Sequence, residues 1–191
     1  NAGVWETFEE YCRSQDTNYE VLITAGPSGF GTRTIPSGKA YIPSNVWKIA
    51  VFVPAGTNSV LSRISATNRV IAISVPNVTN GLSSTWQTYV TSPQKIEQDT
   101  GLRFFTALTP DVASVFRAEV DGTPYFTGIS FSSNQFQFVV NCWPAGTNYI
   151  VQTSTNLTTA NWISLRTNVA PFQFTDTNFL PQRFYRVKSS D

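Results

Sequence analysis

The chain has 191 residues, enough for one large domain or two small ones with workable cores. Its net charge is +1 with only 13% charged residues, so bulk charge provides no broad nucleic-acid surface and any anion site must be local. It has no His, which excludes imidazole general bases, Ser-His-Asp and Cys-His catalysis and His-ligated zinc within the chain.

Residues 3–15 carry Val4, Trp5, Phe8, Tyr11 and Cys12 at helical spacing, with Glu6, Glu9, Glu10 and Arg13 between them, which predicts an amphipathic helix. Glu9 and Arg13 stand four apart and can pair along it, and Asn1 is a favoured residue type for its cap. YEVLITAGP predicts a strand stopped by Gly26-Pro27, and GPSGFGTRTIPSGK a turn-rich loop. WKIAVFVP and RVIAISVPN predict a second and a third strand. WQTYVTS reads as short and extended. PQKIEQDTG predicts a helix that Pro93 opens and Gly101 closes. FFTALTPDVASVFRAEV predicts another helical stretch, with Val112, Val115 and Phe116 as its apolar stripe.

After Asp121-Gly122 the pattern changes to short strands and turns: FTGISFSSNQFQFVVN, NYIVQTS, NWISLRT, PFQFTDT and RFYRVK, separated by PAGTN, TTAN and LPQ. The reading is therefore α+β over residues 1–120, followed by a small antiparallel, sandwich-like all-β domain over 124–191. The longest apolar runs are strand-sized, so no membrane span is predicted.

The first segment, NAGVWETFEEYCR, has the pattern Asn-x-Gly-x-Trp-x-x-apolar-Glu-x-x-x-Arg. It resembles the metal-site helix of the DNA/RNA non-specific endonucleases, a family of the ββα-metal fold group that includes endonuclease G. YEVLITAGP is similar to the family strand ending in Thr-Gly-Pro, here with Ala25 before Gly26. AYIPSNVWKIAV, AISVPN and YVTSPQKIEQDTGLRFFTAL resemble the family's following segments in the same order. Five ordered stretches across residues 1–119 carry the resemblance.

The resemblance implies the later half of a ββα-metal nuclease domain, a mixed or antiparallel sheet with helices. It implies metal-dependent hydrolysis of phosphodiester bonds in DNA and RNA, reached through phosphate contacts, with Mg²⁺ as cofactor or Mn²⁺ in its place. Mg²⁺ suits such a site because it takes hard oxygen ligands and keeps several waters. In the family the Asn that opens this helix binds the metal, and the Glu eight residues on supports the metal-water cluster. Carried over, Asn1 is the metal ligand, Glu9 the supporting carboxylate, and Arg13 orients Glu9 or faces phosphate. Taken locally, Asn1 is a helix cap and Glu9 a solvated carboxylate; the ordered match favours the site roles.

The departure is specific. The family's general base is a His in an Asp-Arg-Gly-His motif upstream of this helix, and a second upstream Asn accompanies it. Neither is in this chain. The expectation is that the nuclease domain is truncated at its N-terminus and that the chain alone is inactive. Relatives of the family include homodimers, and no residue here decides that question.

The remaining residues receive plainer readings. Trp5, Trp47 and Trp86 are expected in the core. Lys48 and Arg33 are candidates to meet phosphate, but lone basic residues usually face solvent. Arg63 and Arg69 receive no role. Cys12 and Cys142 can pair or stay free, and sequence does not decide. The polar, weakly charged composition suits a secreted or periplasmic bacterial protein. YIVQTSTNLTTANWISL, APFQFTDTN and RFYRV resemble short β modules at the C-termini of secreted verrucomicrobial proteins. The alternative function is a degenerate nuclease domain carrying a cell-surface or carbohydrate-binding β module.

Overall fold

The computed structural model describes the chain except residues 1–2, 33, 36–37, 39, 143–145, 160, 179 and 191. The chain divides into two compact units, Asn1–Asp121 and Gly122–Asp191. It is mixed α+β, with the described helices in the first unit.

In the first unit, α1 (Val4–Ser14) precedes β1 (Tyr19–Ser28), β2 (Asn45–Pro54), the short α2 (Val60–Arg63) and β3 (Arg69–Pro76). Then come a 3₁₀ turn (Trp86–Tyr89), β4 (Val90–Thr91), α3 (Pro93–Thr100) and α4 (Pro110–Ala118). The strands form one antiparallel sheet in the order β1-β2-β3-β4. Alternation splits its side chains between two cores. Ala50, Phe52, Ile71 and Ile73 pack with Val4, Phe8 and Cys12 of α1 and with Trp86. Trp47, Ile49, Val51, Val70 and Ala72 pack with Ile96 of α3 and Phe116 of α4. Because both faces are covered, the middle strands are apolar nearly throughout.

Four local expectations change. Gly26-Pro27 does not stop β1: Pro27 pairs opposite Val46. Among the described strands β1 is at the sheet edge, where the missing proline N–H interrupts no ladder. Residues 86–89 are a helical turn rather than extended, because Trp86 turns inward against Phe8, with ring centroids 5.2 Å apart. The last helix begins only at Pro110: Phe105 has φ 60, and the Phe104 N–H is taken by Glu97 Oε1 at 2.6 Å. The N-cap position of α1 falls on Gly3, which makes no side-chain cap bond. By contrast α3 has the expected ends. Ser92 Oγ accepts from the Lys95 N–H at 3.1 Å, and Gly101 closes the helix at φ 74.

The second unit contains β5 (Tyr125–Ser132), β6 (Gln135–Asn141), β7 (Asn148–Ser154), β8 (Ile163–Val169), β9 (Phe172–Asp176) and β10 (Phe184–Ser189). They form two antiparallel three-stranded sheets, β5-β6-β9 and β10-β7-β8. Ser133 and Asn134 turn the β5–β6 hairpin at φ 49 and 59, the left-handed geometry that fits strand twist. Phe138, Val140, Tyr149, Val151, Phe172 and Phe174 share one apolar cluster. Phe172 and Phe174 thus lie on one face, as their spacing requires.

Candidate nuclease site

The helix α1 lies on the sheet with Phe8 fully buried, so Glu9, the next residue, falls at the margin of the packed stripe. Opposite it, Lys48 occupies the same face of β2 as Ala50 and Phe52. The Lys48 ammonium donates to Glu9 Oε1 and lies 3.9 Å from the centroid of the Trp5 ring, one turn earlier on α1. The Lys48 side chain is only 5% exposed, whereas the Glu9 side chain is 38% exposed. The second Glu9 oxygen is 4.0 Å from Arg13 Nη1, and the Arg13 side chain is 65% exposed.

These residues border a groove of about 480 Å³ between α1 and the edge strand, lined also by Cys12, Asp16, Tyr19, Val21 and Ile23. The hydrogen bond from Lys48, aided by the charges of Lys48 and Arg13, holds the Glu9 carboxyl below the usual carboxylate range. Burial pushes the Cys12 thiol up to about 11. Cys12 is a free thiol, which makes it an inert wall of the groove. The groove therefore presents an ionised acceptor and an exposed guanidinium side by side.

A second tie fixes α1 nearer its C-terminal end. Arg69, at the start of β3, donates from Nη1 to the Tyr11 hydroxyl while its other nitrogens hold Asp121. Glu119 lies beside it, 4% exposed, with Oε1 accepting from the Val70 N–H at 3.3 Å. Glu119 Oε2 has no hydrogen-bond partner among the described residues. Burial pushes the Glu119 carboxyl up to about 8, so it is neutral at neutral pH.

Glu9 and Arg13, expected from the sequence, are thus brought together at one groove. Asn1 and Arg33 lie outside the described residues. Trp47 and Trp86 are core residues as expected, but Trp5 is half-buried beneath Lys48. Lys48 does not face solvent. It is buried because its ammonium finds a carboxylate and an aromatic face from α1. The signal that could have revealed it is a charge set inside an otherwise apolar run, VWKIAVFVP, of β2.

Residues 1–111 match the DNA/RNA non-specific endonuclease family. The chain belongs to that family. Over 122 residues it is 33% identical to a protein from Nostoc sp. called a nuclease, a match covering 63% of this chain and 43% of the relative. The chain thus spans less than half the length of that curated relative. A solved structure of the EndoG/EndoGI complex is similar at 20% identity and TM-score 0.42, over 57% of this chain and 46% of that one. Within the family's matched span fall Glu9, Arg13 and Lys48, and the whole groove with them.

Proposed function

We propose that the first unit carries the metal-bearing part of a site that hydrolyses phosphodiester bonds in DNA and RNA, with the scissile phosphate held at the α1 groove. The observation that carries this reading is Glu9: a carboxylate that accepts from Lys48 and opens to a groove beside Arg13. It stands where the family pattern has its supporting carboxylate. The similarity to a Nostoc protein called a nuclease supports the same reading.

The donor set suits a hard cation. Among the described residues no three Asp, Glu, Cys or His side chains gather into a cage. Mg²⁺, with Mn²⁺ able to replace it, takes hard oxygen ligands and keeps several waters. On this reading the Asn1 side-chain oxygen is the direct ligand and Glu9 holds water around the ion. A bound Mg²⁺ stabilises charge developing on the phosphate and the leaving oxygen. Glu9 accepts hydrogen bonds from groove water and fixes its direction. Arg13 draws phosphate by charge, and contact with phosphate rather than base edges takes DNA and RNA alike. The weakly charged, polar composition supports an exported protein.

The chain carries no imidazole, and on this reading proton removal is the work of the His that the family pattern has in Asp-Arg-Gly-His. General acid–base assistance contributes about 10²–10⁴-fold, and the chain alone is expected to cleave at background. The test joins the chain to a family segment bearing Asp-Arg-Gly-His and assays supercoiled plasmid and RNA with and without Mg²⁺. Mg²⁺-dependent cleavage is expected, with Glu9→Gln lowering it about 10–100-fold. Full activity in Asn1→Ala would remove the ligand assignment. Clear cleavage by the unjoined chain would place the base within it.

A second reading makes the nuclease unit a degenerate carrier and the β unit a glycan or cell-surface module. It is favoured by a cleft of about 310 Å³ bordered by Phe131, Phe136, Tyr185, Asn134 and Asn178, with Phe131 57% exposed. Exposed rings can stack on sugar faces. Retention of the full chain on polysaccharide, lost in Phe131→Ala, is the outcome this reading requires.

A further inference from the structure

We infer that Lys48 is a positioning residue for Glu9: its ammonium, held against the Trp5 ring, fixes the direction of the Glu9 carboxylate. The inference rests on the proposed reading of the groove, because that reading gives Glu9 its role.

The asymmetry of the pair points to this. A salt bridge that merely fills a core has both partners buried and satisfied. Here the cation's side chain is 5% exposed and the anion's 38% exposed. A buried ammonium is costly unless well paired, and an apolar side chain at the centre of β2 would pack without that cost. Ala50 and Phe52 occupy the neighbouring positions on the same face in that way. What Lys48 adds is a fixed donor beneath an exposed carboxylate. It engages Glu9 Oε1, leaving Oε2 directed toward Arg13 and the groove. Trp5 and Glu9 are four apart on α1, so one ammonium touches both residues on one face of the helix. The contact therefore sets the rotation of α1 over β2 and, with it, the direction of the second oxygen. Aromatic contact with a desolvated ammonium supports that placement.

The test titrates the Glu9 carboxyl by carbon NMR in the full chain, with Glu9→Gln assigning its resonance, and measures Mg²⁺ affinity in parallel. In Lys48→Met the Glu9 carboxyl is expected to return to the ordinary carboxylate range and Mg²⁺ affinity to fall about 10–100-fold. Lys48→Arg restores the low titration. A folded Lys48→Met whose Glu9 still titrates low overturns the inference. If Lys48→Met does not fold, the unaltered chain decides. A Glu9 titration unmoved between low salt and about 1 M salt supports a shielded donor, and one that moves to the ordinary range overturns it. The groove reading fails separately, if Glu9→Gln leaves Mg²⁺ affinity unchanged while the Glu9 titration still depends on Lys48.

Discussion

Arg69 and Asp121 meet as a two-pronged pair, with Nε 2.7 Å from Oδ1 and Nη2 2.8 Å from Oδ2, both side chains nearly buried. The pair joins the start of β3 to the end of the first unit, and its third prong reaches Tyr11 on α1. Removing one partner leaves the other charge desolvated. Asp121→Ala is expected to lower unfolding stability by about 3–5 kcal/mol. The double replacement Arg69→Met with Asp121→Leu should lose far less. Urea unfolding of the two variants checks both.

Glu119 makes stability depend on pH. Its carboxyl titrates at about 8 in the fold, above the ordinary carboxylate value it regains on unfolding. The folded state therefore binds the extra proton. Its contribution is complete at pH below the ordinary carboxylate range and is lost as pH rises to about 8. Urea midpoints should fall between pH 5 and pH 8, and Glu119→Gln should flatten that slope. An unchanged slope in the variant would mean that other groups cause it.

Gly26 answers to Trp47. A Cβ on Gly26 would come within 2.7 Å of the Trp47 ring, whose Nε1 donates to the Pro27 carbonyl at 3.1 Å. Gly26→Ala must push the indole out of its place, at a cost of about 1–3 kcal/mol. Thermal unfolding and near-ultraviolet circular dichroism of the variant measure it, the latter through the Trp47 environment.

Cys12 should resist alkylation. It is buried, and its thiol is pushed up to about 11. Iodoacetamide at pH 8 is expected to label it slowly in the native chain and rapidly in urea. Rapid native labelling would show that the groove wall opens.

The parts legible in the sequence are those governed by neighbours. The spacing of Val4, Phe8 and Cys12 gives α1, and Ser92, Pro93 and Gly101 give both ends of α3. Glu9 and Arg13 are four apart, so their meeting follows from the helix itself. Contacts made across the fold are not legible in this way. Lys48 finds Glu9 from 39 residues away, and Arg69 finds Asp121 from 52. A local pattern gives such residues no partner, so Lys48 reads as solvated and Arg69 as idle. Pro27 reads as a strand stop because edge position is a property of the sheet, and Trp86 reads as extended because its packing against Phe8 comes from α1.

The contact between Lys48, Glu9 and Trp5 also carries a consequence for descent. An ammonium sealed under a helix cannot lose its carboxylate and wait. A lineage that replaces Glu9 by a neutral residue inherits a buried charge without its counter-charge, and one that replaces Lys48 first inherits a loosened acid. Positions 9 and 48 are therefore expected to change together when sequences of this family are compared, with position 5 staying aromatic wherever position 48 stays cationic. One turn of a helix and a residue some way along the chain are bound to a common history by one nitrogen atom.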